Sequence, residues 1–148
     1  MKIEKTIEIN RDAAQVFDYL KITTNQDKFS VWNMGDPNKK TFTRGTDGTV
    51  GFVYGWDSTN KSVGAGEQEI TRIDEGSSIT YDLRFLRPMK NTAVAKFEVT
   101  PSGSSSARVR WSFDSPSKFP MLLFAPIFKS MLGKDMEKGL SNLKAILE

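Results

Sequence analysis

Residues 107–147 read ARVRWSFDSPSKFPMLLFAPIFKSMLGKDMEKGLSNLKAIL, and the hydrophobic period changes once within them. Ala107, Val109, Trp111 and Phe113 alternate with Arg108, Arg110 and Ser112, the pattern of a half-buried strand with its arginines in solvent. Past Ser115-Pro116-Ser117, apolar residues recur at helical spacing: Met121, Phe124, Phe128, Met131, Leu132, Met136, Leu140 and Leu143. Lys134, Glu137, Lys138 and Lys144 fall between them. This predicts a long amphipathic terminal helix, about 40 Å long if it starts at Pro120. Pro126 is expected to kink it or to end a first turn near Leu122.

Upstream, residues 40–114 read as strands and turns. Ile79, Tyr81, Leu83 and Phe85 alternate with Thr80, Asp82 and Arg84, and Ala93, Ala95, Phe97 and Val99 form a second alternation. Thr49 to Trp56 is expected to form a strand with Val50, Phe52, Tyr54 and Trp56 in one phase, and Val63 to Ile73 the next. Short turns at 45–48, 57–60, 74–77, 87–91 and 101–106 join these runs, so consecutive strands should pair antiparallel. The N-terminus places Ile3, Ile7 and Ile9 on one strand phase. Asn10 then stands where a helix N-cap belongs, before Ala13, Val16, Phe17 and Leu20 at helical spacing. A second short helix is expected from Thr24, with Asp27 in a capping-box-like position and Phe29 and Trp32 on its body. The two helices form an elbow, closed by the loop Gly35-Asp36-Pro37-Asn38.

Composition narrows the chemistry. The 148 residues fit one α+β domain with a sizeable core, expected to span 1–148. There is no Cys and no His, which removes thiol nucleophiles, Ser-His-Asp triads, disulfides and thiolate or imidazole metal sites. No cofactor or metal is expected. A net charge of +3 from scattered basic residues argues against nucleic acid as a partner. The opening residues enter a strand pattern at once, without a signal-peptide pattern, so a cytoplasmic location is expected. The apolar run Met121–Phe128 is too short to span a bilayer, so stable membrane insertion is not expected.

An opening strand, a helical elbow, six further antiparallel strands and one long terminal helix form a specific order. In that order, several pieces resemble the START-like helix-grip superfamily (SRPBCC), which includes pollen-allergen-like and polyketide cyclase/dehydrase-like proteins. They are Asn10-Arg-Asp-Ala-Ala-Gln-Val-Phe-Asp-Tyr-Leu20, Trp32, Gly48-Thr-Val-Gly51, Gly66-Glu-Gln-Glu-Ile-Thr71, Ile79-Thr-Tyr-Asp-Leu-Arg-Phe85 and the amphipathic tail. The resemblance implies a helix-grip fold, with a curved seven-stranded antiparallel sheet gripping the C-terminal helix around an apolar cavity.

Candidate cavity-lining residues are Trp32, Phe52, Tyr54, Trp56, Glu69, Tyr81, Leu83, Phe85, Phe97, Trp111, Phe124, Phe128, Met131 and Met136. The same aromatics would equally serve as core filling. Glu67 and Glu69 share a phase with Ala65 and Ile73, whereas Ile70 is on the other, so either a bulge turns a carboxylate inward or both lie on the outer face. Arg84 points outward by phase. The uncharged stretch Phe119–Phe128 is a candidate gate, membrane-docking tip or dimer contact, or a segment packed over the cavity end.

The expected function is binding, transport or sensing of a small hydrophobic or amphipathic molecule, with Tyr54, Tyr81 or Glu69 orienting it. The alternative is a polyketide cyclase/dehydratase-like enzyme using a carboxylate or Tyr for proton transfer. A protein-interaction module acting through Met121–Phe128 is a third possibility.

Overall fold

The computed structural model describes residues 1–87, 89–116 and 125–148, the side chains of 125–128 excepted. Strand β1 (Lys2–Ile9) leads into helix α1 (Ala13–Lys21), a 3₁₀ segment (Thr23–Lys28) and the single turn α2 (Val31–Met34). Strands β2 (Lys40–Arg44), β3 (Val53–Asp57), β4 (Ala65–Asp74), β5 (Ser78–Arg87), β6 (Asn91–Gly103) and β7 (Ser106–Asp114) follow, then helix α3 (Ala125–Leu147). All seven strands join one antiparallel sheet in the order β1-β7-β6-β5-β4-β3-β2. The sequence order is therefore also the spatial order, except that β1 closes the far edge beside β7. With α3 laid against the inner face of the curved sheet, this is the helix-grip fold.

The register stacks inner-face residues into rows across the strands. The fully packed rows combine Ile79, Phe97, Trp111 and Lys5, then Val99, Val109 and Ile7. Phe97 stacks on Trp111 at 4.9 Å between ring centroids, and Phe29 of the elbow meets both edge-on at 6.1 Å. Met136, Leu140 and Leu143 of α3 are buried in the same core. Two glycines let the helix approach. A Cβ at Gly139 would lie 3.0 Å from the Trp111 ring, and one at Gly133 would lie 3.1 Å from the Lys5 side chain. Lys5, on the inward phase of β1, extends along this contact and reaches Glu137 at 2.8 Å.

The outer face is polar and laced by cross-strand pairs. Glu8 faces Arg108, Glu98 faces Arg110 and Glu67 faces Arg84, and each register pair is also an ion pair.

Several local expectations change. Helix α1 starts at Ala13 after Asp12, and Asn10 instead donates its backbone N–H to the Glu148 carboxylate at 2.8 Å. Thr24 and Asp27 form no capping box, and Phe29 and Trp32 do not share a helix. Phe29 follows the 3₁₀ segment, whereas Trp32 lies on α2. Asp47, 23 residues away, caps the segment instead: it accepts from the Thr23 N–H at 2.7 Å and the Thr24 N–H at 3.1 Å. The strand expected from Thr49 starts only at Val53. Gly51 adopts φ 96°, a turn conformation that leaves Val50 exposed and out of phase with Phe52. Pro126 sits in the first turn of α3, where its missing N–H costs nothing, and the whole 23-residue helix is about 34 Å long. Its expected course from Pro120 lies partly outside the described residues.

Candidate functional site

Two bulges decide which β4 residues face inward. Register shifts lie between Ala65 and Gly66 and between Ile70 and Arg72. Between them Gly66, Gln68 and Ile70 point into the molecule, and Glu67 and Glu69 point out. The shifts let Ala65 and Ile73 share an apparent phase with the glutamates without sharing their face. Glu69 is therefore not a lining residue. Its carboxylate accepts from Arg84 Nη2 at 2.9 Å, and Glu67 accepts from Arg84 Nε at 2.8 Å. This clamp, Glu67 first, holds the Arg84 guanidinium above its usual range and occupies it on the outer face.

The inward residue is Gln68, in a row with Tyr54, Leu83 and Ala93. The row toward the strand ends holds Trp56, Gly66 and Phe85; the row on the other side holds Ile70, Tyr81, Ala95 and Phe113. Small residues interrupt all three rows. A Cβ on Gly66 would lie 2.6 Å from the Arg84 carbonyl and 2.9 Å from the Trp56 ring, so only glycine leaves the indole its place. Trp56 packs edge-on against Phe85 at 6.1 Å, and Trp32 closes the opposite side over Trp111 at 5.5 Å and Phe113 at 6.2 Å. Burial loosens along β5, from Tyr81 at 1% exposure through Leu83 at 9% to a half-buried Phe85.

Polar groups enter this apolar surface from the elbow side. Gln68 Nε2 donates to Gln26 Oε1 at 3.2 Å, both side chains being buried. The Tyr54 hydroxyl lies 2.8 Å from both carboxylate oxygens of Asp27. Asn33 Nδ2 donates to the same carboxylate at 3.1 Å, and Lys39 Nζ stands 3.5 Å from it while donating to the Asn33 carbonyl at 2.6 Å. Trp32 Nε1 donates to Asp135 at 3.1 Å, tying the elbow to α3. Burial first, and then the hydrogen bond to Asp27, pushes the Tyr54 phenol well above the ordinary range. Burial does the same for Tyr81, whose hydroxyl sits beside Thr23 and Gln26. Both phenols are thus held as proton donors. Among the described residues, no three or more His, Cys, Asp or Glu side chains come together as a metal site would require.

Among the other candidates, Phe52, Tyr81, Phe97, Trp111 and Met136 are buried in the core. Trp32, Tyr54, Trp56, Leu83 and Phe85 border or belong to the three rows interrupted by Gly66, Ala93 and Ala95. Met131 is 59% exposed on α3 and lines nothing among the described residues. Phe124 and the side chain of Phe128 lie outside the described residues, as do the gate and docking-tip expectations for Phe119–Phe128. Sequence reading missed Gln26, Asp27, Asn33 and Lys39 as site residues, because nothing local links the elbow to β3 and β4. Gln68 was accessible, since it shares a strand phase with Ile70.

A search of the curated proteins returns no match to this sequence. Among solved structures, the chain is similar to protein MLL2253 from Mesorhizobium loti, with a TM-score of 0.71 at 13% identity over 99% of this chain and 96% of that one. It is similar to a START superfamily protein from Mycobacterium smegmatis, with a TM-score of 0.65 at 17% identity over 99% and 96%. DynU16, a protein of the dynemicin biosynthetic locus, gives a TM-score of 0.69 at 9% identity over 99% of this chain and 46% of its own. These likenesses are of fold. At the level of sequence, residues 1–148 match the family described as polyketide cyclase / dehydrase and lipid transport. With the helix-grip architecture already established strand by strand, the chain belongs to that family.

Proposed function

We propose that the protein binds a small amphipathic molecule between the inner face of the sheet and the elbow and α3. The observation that carries this reading is the composition of the three rows interrupted by small residues. Ala93 and Ala95 present only methyl groups among Leu83, Phe85 and Phe113, Trp56 fills the place at Gly66, and one side of that surface carries the Gln68–Gln26 and Tyr54–Asp27 pairs. Apolar burial supplies affinity, and the polar pairs fix which end of the ligand faces the elbow. Carriage or sensing draws on the whole apolar surface, whereas proton transfer would have to rest on the single Asp27 grouping.

The test is binding of a fluorescent fatty-acid probe, followed through energy transfer from Trp32 and Trp56. Saturable binding that an apolar competitor reverses is the expected result. Gln68→Leu should weaken a probe with a polar headgroup several-fold and leave a wholly apolar dye unaffected. Failure of both probes would overturn the reading.

The cyclase/dehydratase alternative has one observation in its favour, the grouping of Asp27, Tyr54 and Lys39. In that case Asp27 would be the proton acceptor and Asp27→Asn would abolish turnover without abolishing probe binding.

A further inference from the structure

The inner face holds polar atoms that its own hydrogen bonds leave open. Gln68 spends its Nε2 on Gln26, and its Oε1 accepts nothing among the described residues. The residue is only 6% exposed, yet Oε1, unlike Thr23 Oγ1, is not walled in on every side. Thr23 Oγ1 is fully buried without a partner. The Tyr81 hydroxyl has only the Leu20 carbonyl to donate to, at 3.5 Å, the far limit of such a bond. These groups meet in one place: Ile70 pairs with Tyr81 and Gln68 with Leu83, which sets Gln68 and Tyr81 diagonally on adjacent strands, and the Tyr81 hydroxyl lies beside Thr23 and Gln26 of the elbow. Buried polar atoms are ordinarily paired, because water lost on burial must be replaced by a partner.

The cluster is also uncharged. The inward residues of its own row and of the rows on either side are all apolar or neutral. The charged groups around it are matched elsewhere. Asp27 is taken by Tyr54, Asn33 and Lys39, Asp47 by the Thr23 and Thr24 N–H groups, Asp135 by Trp32, and Lys5 by Glu137. An ionised head buried here would lose its water without gaining a cation. A neutral group that both donates and accepts fits instead: its N–H or O–H has Gln68 Oε1 as acceptor, and its oxygen has the Tyr81 and Thr23 hydroxyls as donors.

We infer that Gln68, Tyr81 and Thr23 select a ligand whose buried polar end is an uncharged amide or hydroxyl, and that they reject an ionised carboxylate or phosphate in that place. This rests on the ligand-binding reading above and adds to it the class of ligand, a neutral amphiphile.

The test is displacement of Nile red, an uncharged dye, from the full chain near neutral pH by decanamide, decanol and decanoate, whose tails match in length. Decanamide and decanol should compete about tenfold better than decanoate, which keeps its carboxylate in water and binds through its chain alone. Gln68→Met and Tyr81→Phe should each lower the ratio of amide to decanoate affinity about fivefold, and either variant suffices if the other fails to fold. Equal competition by all three compounds, with Nile red bound, would assign the open atoms to internal water and overturn the inference while leaving the ligand-binding reading in place. A preference for decanoate, or a preference for the amide that neither variant alters, would overturn it in the same way. If Nile red itself does not bind, the ligand-binding reading fails and the inference falls with it.

Discussion

Tyr19, Tyr54 and Tyr81 are the three tyrosines of the chain, and burial raises the pKa of each above its ordinary 10.0. The sign follows from linkage. In the unfolded chain a phenol ionises near 10, whereas in the fold it stays neutral, so its contribution to stability is whole below that pH. It is lost as pH rises from 10 toward the raised native value. Ultraviolet absorbance during an alkaline titration should therefore show Tyr54 and Tyr81 un-ionised near pH 10, their phenolate appearing only in a cooperative rise coincident with loss of circular dichroism. Ionisation of two or more tyrosines near pH 10 in the folded protein would contradict the burial of the Tyr54 and Tyr81 hydroxyls. The same measurement bears on chemistry: a phenol that resists ionisation can donate a proton or a hydrogen bond, but it is a poor base near neutrality.

Among the elements, the elbow depends on a residue that its own sequence does not contain. Asp47 satisfies the first two N–H groups of the 3₁₀ segment and the Thr24 hydroxyl at 2.9 Å, from the turn before β3. Asp47→Ala should destabilise the protein by about 1–2 kcal/mol, read as a lower urea midpoint with an unchanged slope. A change within error would show that water replaces the carboxylate. The sheet was legible in the sequence because alternation reports a face directly, as in Ile79–Phe85 and Ala107–Phe113. The helix α3 was legible because its stripe of Met136, Leu140 and Leu143 needed only one partner surface. The elbow caps and the β4 bulges were not, since each depends on contacts across the chain. Asp47 meets Thr24 only after the β2–β3 turn is placed, and Glu69 turns outward only because β5 fixes two register shifts. The same reason hid most of the candidate site: its aromatics were named, but its polar partners come from an elbow whose docking on Tyr54 and Gln68 carries no local signature.

For the whole molecule, the depressed carboxylates lie at the surface and act at low pH. Glu8, Asp36, Asp74, Glu98 and Glu148 are all held below their ordinary values of 4.5 for Glu and 3.8 for Asp. The leading causes are hydrogen bonds from Ser102, Ser58, Arg72, Arg110 and the Asn10 N–H, respectively. A depressed carboxylate contributes stability that is present above its unfolded pKa and lost as pH falls through the folded one. With no histidine in the chain, the urea midpoint should stay level between about pH 6 and 8 and decline only below the ordinary carboxylate range. A marked transition near pH 6.5 would contradict this. Above this charged shell, the account rests on the inner face being a binding surface rather than a finished core. The most direct measurement is native mass spectrometry of the protein purified from its own cells, followed by denaturing extraction. The account predicts a defined small molecule released at near-stoichiometric amount. Clean apo protein that also fails to take up apolar probe dyes would contradict it.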